Sequence, residues 1–148
     1  MATKYGTNKT IERAGTSVTD AGLLGGRVRC MVGEYTCDGV ADLLLATADV
    51  VQLGKELPVG ARVLDVVLAS EGVGGDVQVS IGDAVDASRY IGAASIVATE
   101  LTRMLDAEGG SVGYEIISTT RQILATVAAG TSNTDAAKFK VIIYYTHD

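Results

Sequence analysis

Hydrophobic positions in this chain recur mostly at every second residue, in short runs closed by glycine or acidic turns. In DVQVSIGD (76–83), Val77, Val79 and Ile81 alternate with Asp76, Gln78 and Ser80, the period of a strand with one buried face. In ARVLDVVLAS (61–70), Val63, Asp65, Val67 and Ala69 face one way, and Leu64, Val66 and Leu68 are expected in the core. The glycine-rich turn Glu71-Gly72-Val73-Gly74-Gly75 between these two strands predicts a hairpin. RVRCMVGEYTC (27–37) sets Val28, Cys30 and Val32 against Arg27, Arg29 and Met31, an imperfect two-residue period. VADLLLATADVVQLG (40–54) reads as one irregular strand or as two meeting near Thr47-Ala48, with 43–45 also compatible with a short helix. Leu57-Pro58-Val59-Gly60 is a turn, because proline presets one dihedral and glycine frees the next.

Farther along, GAASIVATELTRMLDA (92–107) offers a candidate helical turn or two, with Ile96, Leu101 and Met104 roughly on one side; a loop with a short strand fits equally. VGYEIISTT (112–120), RQILATVAAG (121–130) and KFKVIIYYTHD (138–148) read as three further strands. About eight strands at this spacing predict an all-β fold, an antiparallel β-sandwich or barrel. The lack of alternating long helices excludes a doubly wound α/β fold, and no period of 20 to 50 residues suggests a repeat architecture.

Residues 1–26 follow no apolar period and are rich in Thr, Gly, Asn and Lys. They read as an extended N-terminal arm with little to bury alone, disordered or lying along a partner, ahead of a β-sandwich domain at 27–148. Charge strengthens that division. Residues 1–29 hold five basic groups (Lys4, Lys9, Arg13, Arg27, Arg29) against two acids, a net of +3, which leaves −9 for the rest of a chain whose formal charge is −6. Opposite signs on arm and body suit an arm steered onto an acidic neighbour, although short stretches of mixed charge are commonly just solvated.

Composition narrows the class. At 148 residues the chain has the length of one domain. Hydrophobic residues make up 47%, with one Phe and no Trp, so the core must come from Val, Ile, Leu and Ala, which favours strands. Eighteen glycines against the single Pro58 indicate tight turns rather than a stiff linker. The acidic balance argues against nucleic acid as a partner, since phosphate neutralisation needs clustered Lys and Arg. No apolar run approaches the ~20 residues of a membrane span, and Met-Ala-Thr-Lys-Tyr lacks the apolar core of a secretory signal, so folding is expected where the chain is made.

Candidate chemistry is sparse. Cys30 and Cys37 are too few for a disulfide scaffold and lack zinc-site spacing; they either face each other across a hairpin turned at Gly33-Glu34 or remain reduced thiols, the outcome expected in the cytosol. His147 is penultimate, where side chains usually fray, and no base, nucleophile and orienting group form a visible constellation, so no catalytic residue is assigned. Asp83 and Asp86 are spaced to share a calcium ion but lack the remaining ligands of a calcium loop; turn-forming aspartates with one of them pairing Arg89 are the favoured reading, and no metal or cofactor is expected. Gly72-Val73-Gly74-Gly75 lacks the lysine and helix of a phosphate loop. Tyr35, Tyr90, Tyr114, Tyr144 and Tyr145 are either a stacking platform for sugars or bases, or half-buried residues closing the ends of the core.

The order of segments carries a resemblance. A glycine-marked arm, LGKELPVGARVLDVVLAS, a glycine turn, VQVSIGDAVDASRYIGAAS and a terminal KVIIYYTHD resemble the small capsid decoration, or cement, proteins of tailed bacteriophages, over most of 22–148. The shared motifs are turns and strands. The resemblance implies a jelly-roll-like sandwich, non-enzymatic, made in the host bacterial cytoplasm, assembling as a homo-oligomer, often a trimer, on the outer capsid surface. Its partner would be the major capsid protein, whose capsomers it would cement. The acidic and partly helical stretch 98–108 is longer than that group suggests for the loop. Lys4, Lys9, Arg13, Arg27 and Arg29 are the candidate capsid contacts of the arm. Two other classes share this composition: a carbohydrate- or receptor-binding sandwich of a head or tail fibre, and a tail or head-completion protein.

Overall fold

The computed structural model describes residues 3–5, 7–8, 27–37, 44–104, 117–132 and 137–147. Its strands are β1 (Thr3–Tyr5), β2 (Thr7–Asn8), β3 (Arg27–Thr36), β4 (Val50–Leu57), β5 (Arg62–Glu71), β6 (Gln78–Gly82), β7 (Ile91–Ser95), β8 (Thr99–Arg103), β9 (Arg121–Ala129) and β10 (Lys138–His147). They form two sheets, ordered β1-β4-β9-β6-β7 and β2-β3-β10-β5-β8. Eight of these strands make the antiparallel sandwich that the alternation predicts. The other two, β1 and β2, are short pieces of the arm at the sheet edges.

The pairing is nested. β3 pairs with β10, β4 with β9, β5 with β8 and β6 with β7, so the body's first strand meets its last and the two middle strands meet each other. This is a long hairpin rolled up, and the pairs β5·β10 and β6·β9 close the roll. The architecture is a jelly roll.

Rolling forces most consecutive strands into different sheets, which corrects the hairpin expected around Gly72–Gly75. β5 lies in one sheet and β6 in the other, so the glycine turn is an arch over the edge of the core, with the buried Val73 donating its N–H to the Ile96 carbonyl at 3.0 Å. Gly75 shows why glycine is needed there: its φ is +67°, and a β-carbon would overlap the Thr131 carbonyl oxygen. Of the consecutive body strands only β6 and β7 form a hairpin.

β5 supplies a second correction. Tyr144 of β10 pairs with Asp65, but Tyr145 pairs with Val63, so Leu64 is the extra residue of a β-bulge. The bulge reverses the facing: Val63, Val66 and Leu68 are buried in the core, while Leu64 is only partly buried. β3 runs through Gly33-Glu34 without turning, which removes the hairpin that would have opposed Cys30 and Cys37; both are reduced thiols. No helix occupies 92–104, where the chain forms β7 and β8. Of the strand expected at 112–120, residues 117–120 are not extended and 112–116 lie outside the described residues, as does Tyr114. In 40–54, residues 44–49 form a turn and the strand starts at Val50, with 40–43 outside the described residues.

The turn after β4 forms as expected, with Gly60 at φ +86° and the Ala61 N–H donating to the Pro58 carbonyl at 3.1 Å. The core is aliphatic, as the composition demands, and one aromatic pair sits within it: Tyr35 and Phe139, ring centroids 5.7 Å apart and tilted by 37°. Burial, with smaller contributions from Cys37 and Asp49, pushes the Tyr35 phenol up to about 12, so it stays neutral.

Candidate functional site

The hairpin loop between β6 and β7 holds one of the buried carboxylates. Asp83 follows β6 and is 4% exposed. Its Oδ1 accepts the N–H groups of Val85 (2.8 Å) and Asp86 (2.9 Å), and its Oδ2 accepts Nε of Arg89 (2.6 Å) and stands 3.2 Å from Nε of Arg121. Asp86 folds the next turn by accepting the N–H and Oγ–H of Ser88. Burial alone raises the Asp83 carboxyl; the backbone donors of Asp86 and Val85, then Arg89 and Arg121, outweigh it and hold the group below the usual carboxylate range. Both Asp83 oxygens are thus engaged by turn N–H groups and arginines, and Asp86 Oδ1 by Ser88. Arg121 is a partner that sequence reasoning missed, because it is 38 residues from Asp83 and arrives only through the β6·β9 pairing.

The two outer faces of the sandwich differ in character. In the sheet containing β4, β9, β6 and β7, the outward residues include Gln52, Gln78, Gln122 and Thr126, interspersed with Val50 and Leu124. In the sheet containing β3, β10, β5 and β8, the core side of β3 is Met31, Gly33 and Tyr35, so Val28, Cys30 and Val32 face outward. The pairing aligns Val32 with Ile142, Val67 and Arg103 in one row, and Cys30 with Tyr144 and Asp65 in the next. Val28 is 50% exposed, Leu101 62% and Tyr144 36%. An open trough of about 600 Å³ runs over this face, lined by apolar side chains and by Asp65 and Arg103. Asp65 Oδ2 accepts both Nε (3.0 Å) and Nη2 of Arg103, while its Oδ1 is buried with no hydrogen-bond partner among the described residues. At the rim, Lys140 pairs with Glu34 at 3.3 Å.

The five candidate arm contacts fall in three places. Lys4 lies in β1, which runs parallel to β4 with Lys4 opposite Val51; β2 pairs with β3. The described ends of the arm thus pair with the chain's own sheets. Arg27 and Arg29 open β3 and belong to the sandwich, while Lys9 and Arg13 lie outside the described residues. His147 closes β10, with Nε2 3.1 Å from the Val59 carbonyl oxygen. Of the tyrosines considered, Tyr35, Tyr90 and Tyr145 are buried and Tyr144 is 36% exposed.

Searches of family models and of curated proteins return no match. Solved structures do match. The chain is similar to a chain of the cyanophage Pam1 capsid asymmetric unit, at 21% identity and a TM-score of 0.67, covering 95% of this chain and 94% of that one. The chain shares its fold with phage capsid components. It is similar also to a chain of the Ralstonia phage GP4 capsid (16% identity, TM-score 0.66, 99% of both chains) and to one from the acid-stable capsid of the Helicobacter pylori bacteriophage KHP30 (18%, 0.54, covering 80% of this chain and 87% of that one). At these identities the likeness establishes the jelly roll.

Proposed function

We propose that the chain is a non-enzymatic structural protein of a phage virion, and within it a decoration or cement protein on the outer capsid surface. The observation that carries this reading is end-to-end similarity: two of the matched capsid chains are covered over 94% and 99% of their length. The whole matched unit is therefore a small jelly roll like this one, not a domain inside a larger shell subunit. A cement role also suits the molecule physically. Its charged side chains fold turns and cross strands, as at Asp83, and an open apolar trough lies on one outer face. Many weak contacts repeated over a symmetric shell give high avidity without a deep site. The arm, with its net positive charge, is proposed to add contacts at the joints between capsomers, and a homotrimer is the proposed unit. The buried tyrosines disfavour a sugar-binding fibre module. Copy number separates cement from a tail or completion protein: quantitative mass spectrometry of purified virions should find on the order of hundreds of copies, whereas about a dozen would reject the shell assignment.

A further inference from the structure

We propose that the outer face of the sheet containing β3, β10, β5 and β8 is the surface that seats on the capsid shell, against an apolar ridge of the shell protein that carries a hydrogen-bond donor. The inference rests on the capsid reading above and adds the face, the partner chemistry and the residues. Sandwich strands normally present polar residues outward. The first sheet largely obeys, with Gln52, Gln78, Gln122 and Thr126 outside. The second carries Val28, Val32, Val67, Leu101, Ile142 and Tyr144 outward in adjoining rows. Isolated exposed apolar residues need no explanation, but a contiguous cluster marks an interaction surface.

Area decides the occupant. Four strands spaced ~4.8 Å apart, over about seven residues at ~3.3 Å each, give a face of roughly 400 Å². A stable complex of two proteins needs about 800 Å² on each side, so this face alone holds a second copy only weakly in solution. Seated on a shell, the same area is repeated at every lattice position and supplemented by the other contacts of an oligomer, so it suffices there. Polarity defines the ridge further. Asp65 is 8% exposed and lines the trough, and its Oδ1 lacks a partner among the described residues. A buried acceptor in that condition calls for a donor, which the seated partner supplies while Arg103 keeps the other oxygen neutralised.

Three proteins test this: wild type, Leu101→Glu on the apolar face, and Gln78→Glu on the polar sheet as a charge-matched control. Both substituted side chains are exposed, so melting temperatures should agree within about 2 °C. Binding is measured by co-sedimentation with shells purified from the encoding phage after deletion of this gene, and association in solution by sedimentation velocity. Burying a charge where a leucine was seated should weaken shell binding at least about tenfold for Leu101→Glu, with Gln78→Glu matching wild type. Equal binding by all three overturns the assignment of the face and leaves the capsid reading standing. Failure of wild type to bind shells overturns the capsid reading and this inference with it. A wild-type oligomer in solution that Leu101→Glu dissociates overturns the shell as occupant in favour of a second copy.

Discussion

Replacing Asp83 with alanine removes a buried acceptor that ties together the β6–β7 hairpin loop and the neighbouring strand β9. Four groups each lose one partner at once: the N–H groups of Val85 and Asp86, and the guanidinium nitrogens of Arg89 and Arg121. The two arginine side chains are only 19% and 15% exposed, so water cannot fully replace the carboxylate. Breaking a buried pair from one side costs about 3–5 kcal/mol, and at about 2–4 °C per kcal/mol for a domain of this size the melting temperature should drop by roughly 6–20 °C. Asp83→Asn keeps an oxygen acceptor and should lose less. The pH dependence gives an independent check. Because the native carboxyl is held below its unfolded value of about 3.9, the unfolded chain binds more protons between the two values. The stabilisation is therefore complete above about pH 5 and lost as the pH falls through the native value. Calorimetry from pH 7 down to 3 should show an acid-side decline in wild type that is shallower in Asp83→Asn. A loss under about 2 °C at pH 7, or identical acid limbs, would refute the role given to this carboxylate.

Other substitutions probe the roll itself, each read by thermal or urea unfolding unless stated. Phe139→Ala removes a fully buried ring packed on Tyr35 and should cost about 3–5 kcal/mol; a cost below 1 kcal/mol would contradict the placement of the core. Gly75→Ala puts a β-carbon into the Thr131 carbonyl at a left-handed position and should cost more than about 2 kcal/mol. Ala48 sits at φ 72° in the turn before β4, so Ala48→Gly should be neutral to stabilising by up to about 1 kcal/mol. A thiol reagent under native conditions should label the partly exposed Cys30 while the fully buried Cys37 reacts only on unfolding; equal native rates would show that Cys37 is not in the core.

The class of the fold was legible in the chain; its pairing was not. Alternation in 76–83 and 138–148 reports strands because every second side chain meets a core, and a core without tryptophan and with one phenylalanine must be aliphatic. Alternation cannot report which strand is the neighbour. The turn at Gly72–Gly75 has the glycines that both a hairpin and an arch require, and only the long-range β5·β10 and β6·β9 pairings decide between them. Leu64 was misplaced for a similar reason: a single bulge, invisible locally, reverses the facing along one strand. The apolar outer face was half visible. Val28, Cys30 and Val32 stood out as a set, but inside and outside are distinguishable only when the opposite set is polar, and here Met31, Gly33 and Tyr35 take the core instead. At Asp83 the partnership with Arg89 lay within six residues and could be read, whereas Arg121 required the sheet.

A cryo-electron reconstruction of the phage particle proposed to carry this chain tests the central claim most directly. The account predicts jelly-roll density for this chain at every equivalent site on the outer shell, with the β3-β10-β5-β8 face turned toward the capsid protein and Leu101 in contact. Density confined to the tail or a single vertex, or a shell with none, would contradict it.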